Sequence, residues 1–369
     1  MADFRCALLL MLFLPASAGA GPATVPATSP SIDVRVDPRV ELICIIFRLA
    51  GHPEYSRAQL PAYAADVDKH FAPFKDHPVV ALARELRRTR GVSFEAPMSL
   101  AAHVTAPPAL AERVAFDPHP VGLDARWRLV ESRRFLQLAR DFAGKARFAA
   151  FFDAHRDLYA ASERAMRVTI ARHVKLDWFE RYFGAAPGAG FHLVIAPLNG
   201  GNCYGIRVAL PDNASDLYSI MGVWQTDPKG APAFPASVVP TIIHEFNHAF
   251  VNPVVYTHQD KFAPAGQRLF EKHADVMRRQ AYGHWTTVLH ESIVRAAVVR
   301  YLAQTAGPDA ARAQLADETA RGFTWTADLV ALLQQYEQSR DKYPTLDYFH
   351  PRLVEFFETQ APATQPANP

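Results

Sequence analysis

Two histidines four residues apart, with a glutamate between them, restrict this chain more than any other feature. They are His244 and His248, with Glu245 beside the first, inside the stretch Pro240 to Phe250. A helix advances about 100° per residue, so positions i and i+4 share one face a turn apart. Two imidazoles placed so can share one metal ion, and the carboxylate between them can take a proton from water at that ion. The pattern therefore demands a helix, and its neighbours demand a buried one. Ile242, Ile243, Phe246, Ala249 and Phe250 supply an apolar face. Pro240 is tolerated in a first turn, and Asn252-Pro253 predicts the stop. A chance pattern in a chain with 15 histidines is the competing explanation; the character of the predicted helix weighs against it.

Zinc is the ion predicted, and catalytic zinc takes three protein ligands, leaving a fourth position open. The extended form of the motif would need Gly and His where Val251 and Val254 stand, so the third ligand lies further on. Glu271 has Gln267, Arg268, Asp275 and Arg278 on its face, a polar stripe in which a solvated carboxylate suffices. Glu291 has Val288, Val294, Val298 and Leu302, with Thr287 and Arg295 at the margin. A carboxylate in such a stripe is costly unless paired or bound to metal. Glu291 is the favoured ligand, with Glu271 and other groups including His290 as alternatives. A plain Glu291–Arg295 pair at i,i+4 is the bland reading. Tyr256, His258, Tyr282 and His284 are candidate oxyanion donors, and Arg295 a candidate support for the Glu291 carboxylate.

The rest of the chain sets the scaffold. From about Val36 to Gly184 the pattern is mainly helical: Arg39 to Ala50, Pro61 to Phe71, Pro78 to Arg90, Leu100 to Val104, Arg128 to Ala143 and Ala146 to Phe183, with Gly144 as a break. The period then changes to strands at Phe191–Ala196, Asn202–Leu210 and Leu217–Val223, expected to form an antiparallel meander around a turn at Asn199-Gly200-Gly201. From Ser237 to Phe357 the chain is helical again, with breaks expected at Asn252-Pro253, near Ala263-Pro264 and at Gly307-Pro308. The fold class is α+β, predominantly helical, with a small antiparallel sheet beside the motif helix. Residues 33–185 form a mainly helical N-terminal region, and residues 186–360 carry the candidate chemistry.

Residues 1–20 have the form of a secretory signal: Arg5, an apolar run from Cys6 to Leu14, and small residues at Ala16, Ala18 and Ala20. A flexible leader (21–32) follows, and 361–369 is expected to be a disordered tail. The mature protein is expected to be secreted or periplasmic, with no transmembrane segment after cleavage. Cys44 and Cys203 are expected to be free, a bridge between them being the alternative. The net charge of +2 and the lack of a basic run interleaved with aromatics exclude nucleic acid as an expected partner.

A helix bearing this motif followed by a glutamate on a later helix is similar to the gluzincin arrangement of thermolysin-like peptidases. Glu291 lies 43 residues after His248. More narrowly, the run His244 to Pro253, taken with His290-Glu291-Ser292-Ile293-Val294-Arg295-Ala296, resembles an exported bacterial family known as domain of unknown function 4932, regarded as candidate metallopeptidases. The resemblance implies a zincin-like fold, His244, His248 and Glu291 as zinc ligands, Glu245 as base, and a sheet whose edge strand lies above the motif helix. The Asn-Glu-x-x-x-Asp form of the second motif is missing, so thermolysin-like substrate preferences do not carry over. The expected activity is hydrolysis of a peptide or protein substrate. A non-catalytic envelope binding or scaffold protein with a structural or vestigial metal site, and hydrolysis of a non-peptide amide, stay open as alternatives.

Overall fold

A computed structural model describes residues 31–184, 186 and 188–362. The expected signal segment and all but the start of the expected tail lie outside these residues, as does all of the expected leader except its last two residues.

The chain opens with strand β1 (Ile32–Val36) and continues through helices α1 (Pro38–Leu49), α2 (Pro61–Phe71), α3 (Pro78–Arg90) and α4 (Glu95–Ala102). Helices α5 (Leu129–Lys145), α6 (Phe148–Ala154), α7 (Arg156–His173) and α8 (Asp177–Phe183) follow. Strands β2 (Ala189–Ala196), β3 (Cys203–Ala209) and β4 (Ser215–Gly222) come next, then a short hairpin of β5 (Gln225–Thr226) and β6 (Pro232–Ala233). The remainder is helical: α9 (Val239–Thr257), α10 (Gln259–Arg279), α11 (Trp285–Thr305), α12 (Pro308–Ala320), α13 (Thr326–Gln338) and α14 (Leu346–Gln360). The fold is thus α+β and mostly helical. No helix among the described residues is long and apolar enough to cross a membrane.

The expected antiparallel meander is corrected. The main sheet has the order β1-β2-β4-β3, with β1 and β4 both parallel to β2, and only β3 antiparallel to β4. After the turn at Asn199, β3 passes over to the sheet's outer edge, and β4 returns between β2 and β3. The central strands explain themselves: β2 and β4 are buried along most of their length, as strands covered on both faces are. Strand β1 was missed because Ile32-Asp33-Val34-Arg35-Val36 is short and follows a Pro/Thr/Ala-rich stretch. Its partner β2 stands in the second half of the chain, so one sheet includes strands from both expected regions.

Other boundaries shift for local reasons. The long helix expected from Ala146 to Phe183 is three helices, broken at His155 (ψ 11°) and at the extended Val174. Helix α5 runs through Gly144, and the break comes at Arg147, which adopts a left-handed conformation (φ 51°). Proline 264 lies inside α10 instead of breaking it. The most informative correction is at Pro253. Helix α9 does not stop there but continues to Thr257. A proline cannot donate to the carbonyl four residues back. That carbonyl, of Ala249, accepts instead from the guanidinium of Arg207 on β3 at 3.2 Å.

Helix α9 is held between the sheet and α11. Phe246 and Phe250, one turn apart, pack on α8 and β2: Phe250 stacks on Phe183 with ring centroids 4.6 Å apart, and Phe246 meets Phe191 at 5.2 Å. Helix α11 is surrounded by α9, α10, α12 and α13, which is why it is apolar on almost every side.

Candidate metal centre

The imidazoles on α9 face α11, opposite the phenylalanine face. His244 Nε2 and His248 Nε2 are 3.2 Å apart. Glu291 enters from α11 and spans both: one carboxylate oxygen is 3.5 Å from His244 Nε2 and the other 3.4 Å from His248 Nε2. Four groups around a zinc ion at about 2.0–2.2 Å would stand about 3.4 Å from one another in a tetrahedron. The three measured separations match that edge length, so the donor set fits the ion in chemistry and in spacing. It is the one His/Cys/Asp/Glu group among the described residues with the ligand atoms so close together.

The groups behind the ligands hold them in place. His248 Nδ1 meets Asn252 Oδ1 at 3.0 Å, one turn on, which turns Nε2 toward Glu291. Arg295 donates to Glu291 at 2.8 Å and from its other terminal nitrogen to Glu318 of α12 at 2.5 Å. The Tyr282 hydroxyl accepts from Arg295 at 2.8 Å and donates to Glu291 at 3.2 Å. The guanidinium also lies over the Phe323 ring, 4.6 Å from its centre. The bland i,i+4 pair therefore exists, and the same carboxylate faces both histidines.

The electrostatics follow from burial and neighbours. Burial works against the charged form of Glu291, but Arg295 and the two histidines outweigh it and hold the carboxyl well below the usual range. Burial also works against a charged His248; Glu291 outweighs it and raises the imidazole to about 9. Glu245 is buried, and burial pushes its carboxyl up against the opposing pull of His244 and His248.

Strand β3 lies directly on this part of α9. A Cβ at Gly205 would sit 2.1 Å from the Glu245 carbonyl oxygen and 3.0 Å from His248 Cβ, so only glycine permits the approach.

The other expected residues scatter. Glu271 is exposed on α10, outside the ligand group. Tyr282 and Arg295 support Glu291. His290 is buried beside Glu291, edge-on to the exposed Tyr256 ring with centroids 4.7 Å apart, and its Nε2 has no partner. His284 caps α11 by accepting from the Thr286 N–H at 3.3 Å. His258 ends α9 about 15 Å along the axis from His248; it pairs with Asp347 at 2.8 Å and stacks on His350, which removes it as an oxyanion donor. Cys44 is buried in α1 and Cys203 half-buried on β3, both as free thiols. Asn252 and Glu318 were missed. Asn252 was legible as a third polar residue at four-residue spacing after His244 and His248; Glu318 was not, since only tertiary packing brings α12 to Arg295.

The sequence model of a family described as a domain of unknown function (DUF4932) matches residues 32–356. No curated protein and no solved structure matches the chain.

Proposed function

The chain belongs to that family of domains of unknown function, and for this member we propose a zinc-dependent hydrolase, a metallopeptidase of gluzincin type with a zincin-like fold. The observation that carries the proposal is the triangle of 3.2, 3.4 and 3.5 Å between ligand atoms of His244, His248 and Glu291. Bound there, zinc would polarise a carbonyl and lower the pKa of water toward ~7.

The chain's own residues do the rest. Glu245 takes the proton from the attacking water and delivers it to the departing amine. Its burial favours the protonated intermediate state that this shuttle requires. Arg295 and Tyr282 keep the Glu291 carboxylate ionised and aimed between the histidines. Asn252 fixes the ring of His248. A purely structural site has no use for an acid–base group, so Glu245 favours catalysis over a scaffold role. Strand β3, the sheet edge lying on α9, supports a peptide as substrate, because an extended chain can add to such an edge by main-chain hydrogen bonds.

The test is metal analysis of the purified protein, then digestion of an unbiased peptide library with and without chelator. We expect about one zinc per chain and chelator-sensitive cleavage. Glu245→Gln should keep the metal and lose nearly all turnover. A zinc-loaded Glu245→Gln protein that still hydrolyses would remove the assigned base.

A further inference from the structure

We propose that Arg207 is a positioning residue for the candidate metal centre: it replaces the hydrogen bond that Pro253 takes out of α9, and so keeps the turn from His248 to Asn252 in helical register. This rests on the zinc reading above and adds to it a residue, on another element, that sets the site.

The turn that follows His248 is the one α9 cannot close by itself. In a helix the N–H of residue 253 would donate to the Ala249 carbonyl, and proline has no N–H. The residue before a proline is also disfavoured in helical conformation, and here that residue is Asn252. Helix α9 nevertheless runs through both. Asn252 has to be helical, because its side chain meets His248 Nδ1 at 3.0 Å from one turn away. That bond fixes the ring whose Nε2 faces Glu291. The missing backbone bond and the bond that orients the histidine therefore fall in the same turn.

Strand β3 supplies the replacement. One terminal nitrogen of Arg207 donates to the Ala249 carbonyl at 3.2 Å, and the other donates to Ser215 Oγ on β4 at 3.0 Å. The strand backbone is itself held at this point. A Cβ at Gly122 would lie 1.8 Å from the Arg207 carbonyl oxygen, so the Gly122 segment is seated on it. Two residues earlier, Gly205 lies against the Glu245 carbonyl oxygen and His248 Cβ. Strand β3 thus meets α9 at His248 and again at Ala249.

The character of the guanidinium fits this role. No carboxylate pairs with Arg207 among the described residues, whereas Arg295 binds two. Arg207 is explained by what it donates and not by an ion pair. Ala249 is buried, so without that donor its carbonyl has no partner and the turn opens. Asn252 then no longer stands under His248.

The variant Pro253→Ala isolates this role, because alanine returns the N–H that the Ala249 carbonyl lacks. Zinc affinity is measured by competition against a fluorescent chelator for the natural protein, Arg207→Ala, Pro253→Ala and the double variant. Arg207→Ala should bind zinc about 10–100-fold more weakly, the usual effect of losing a group behind a ligand. Lost charge alone has the opposite sign, since removing a cation near a dication tightens its binding. The double variant should bind within about twofold of Pro253→Ala. The visible spectrum of cobalt bound in place of zinc should change in Arg207→Ala and return in the double variant. Unchanged or tighter zinc binding by Arg207→Ala, or a double variant as weak as Arg207→Ala, would overturn the proposal. Should Arg207→Ala fail to fold, the double variant decides: folding with the zinc affinity of Pro253→Ala supports the role, and misfolding or weaker binding ends it.

A second measurement needs no metal. In the 15N-labelled metal-free protein, the His248 Nδ1 proton held by Asn252 should give an imidazole NMR signal protected from exchange with water. The signal should vanish in Arg207→Ala and reappear in the double variant. A natural protein that binds neither zinc nor cobalt but shows this pattern would sink the metal reading and leave Arg207 in its role. A His248 signal indifferent to Arg207, or none in the natural protein, would remove Arg207 from that role whatever the metal content.

Discussion

Arg295 reaches Glu291 at 2.8 Å from one helical turn away, and through this bond a carboxylate is kept ionised in the interior of a helical layer. The bond also distinguishes the two glutamates that the sequence offers as third ligand. Glu291 is buried, braced and within 3.5 Å of both histidines; Glu271 is exposed on the preceding helix. Glu291→Ala should lose zinc on dialysis and Glu271→Ala should keep it, read by metal analysis. Arg295→Ala leaves Glu291 and the buried Glu318 without their shared cation, which should cost about 3–5 kcal/mol in the metal-free protein. Zinc restores a positive charge beside Glu291, so the loss in Tm should be smaller in the loaded protein. Equal losses in both forms would mean that Arg295 acts on the fold without acting on the site.

The motif helix, the buried character of α11 and the placing of Glu291 instead of Glu271 beside the histidines were all legible in residue spacing, because each depends on which residues share one helical face. The sheet order was not. Strand β1 meets β2 across more than 150 residues of chain, and nothing in Ile32-Asp33-Val34-Arg35-Val36 names its partner. Pro253 misled for a related reason. Local chemistry says stop, and a guanidinium from a distant strand supplies the bond that lets the helix go on. Gly205 and Gly122 read as ordinary glycines until the backbones they lie against are known.

Metal uptake should release protons. In the metal-free site Glu291 raises His248 to about 9, above its usual 6.5. That pair contributes stability fully present below about pH 6.5 and lost as pH rises through 9. Glu291, held low, contributes stability present above its usual 4.5 and lost as acid protonates it. Zinc needs His248 neutral, so below pH 9 it must displace a proton. Apparent zinc affinity should rise with pH through neutrality and level off near 9. Calorimetric titrations at pH 7.5 in buffers of different ionisation enthalpy should show close to one proton released. No buffer dependence at all would remove the ion pair from the metal-free state.

A second buried acid should act in the opposite sense. Glu41 on α1 is fully buried, and burial pushes its carboxyl up to about 7 despite the hydrogen bond from Tyr63 at 2.7 Å. The other oxygen has no partner. A carboxyl whose folded pKa is raised from 4.5 binds a proton in the native state that the unfolded chain has released. Stability should therefore fall as pH rises from about 4.5 to 7 and then stay level. Glu41→Gln removes the titration and keeps an acceptor for Tyr63. It should be more stable than the natural protein by roughly 3 kcal/mol at pH 8, a difference that disappears near pH 4.5. Urea unfolding at pH 5 and 8 measures this; a variant equally destabilised at both would show that the native carboxyl is charged and paired.

The closest contact between the sheet and the motif helix gives the sharpest mutational test. Gly205→Ala puts a methyl group 2.1 Å from the Glu245 carbonyl oxygen and 3.0 Å from His248 Cβ. Both neighbours belong to the backbone or stem of α9, so no flexible side-chain end can swing away. The strand and helix must separate, at a cost of about 1–3 kcal/mol. The separation falls at His248 and Glu245, the residues proposed to hold zinc and to carry the proton. Stability loss should therefore come with weaker zinc binding, which a surface substitution would not cause. Gly201→Ala is the matched control: it lies in the turn before β3, its added Cβ meets nothing within 4 Å, and it should change stability by no more than about 0.5 kcal/mol. Competition against a fluorescent zinc chelator, alongside thermal unfolding, reads both quantities. If Gly205→Ala binds zinc as tightly as Gly201→Ala, the contact of strand β3 with α9 does not bear on the candidate metal centre.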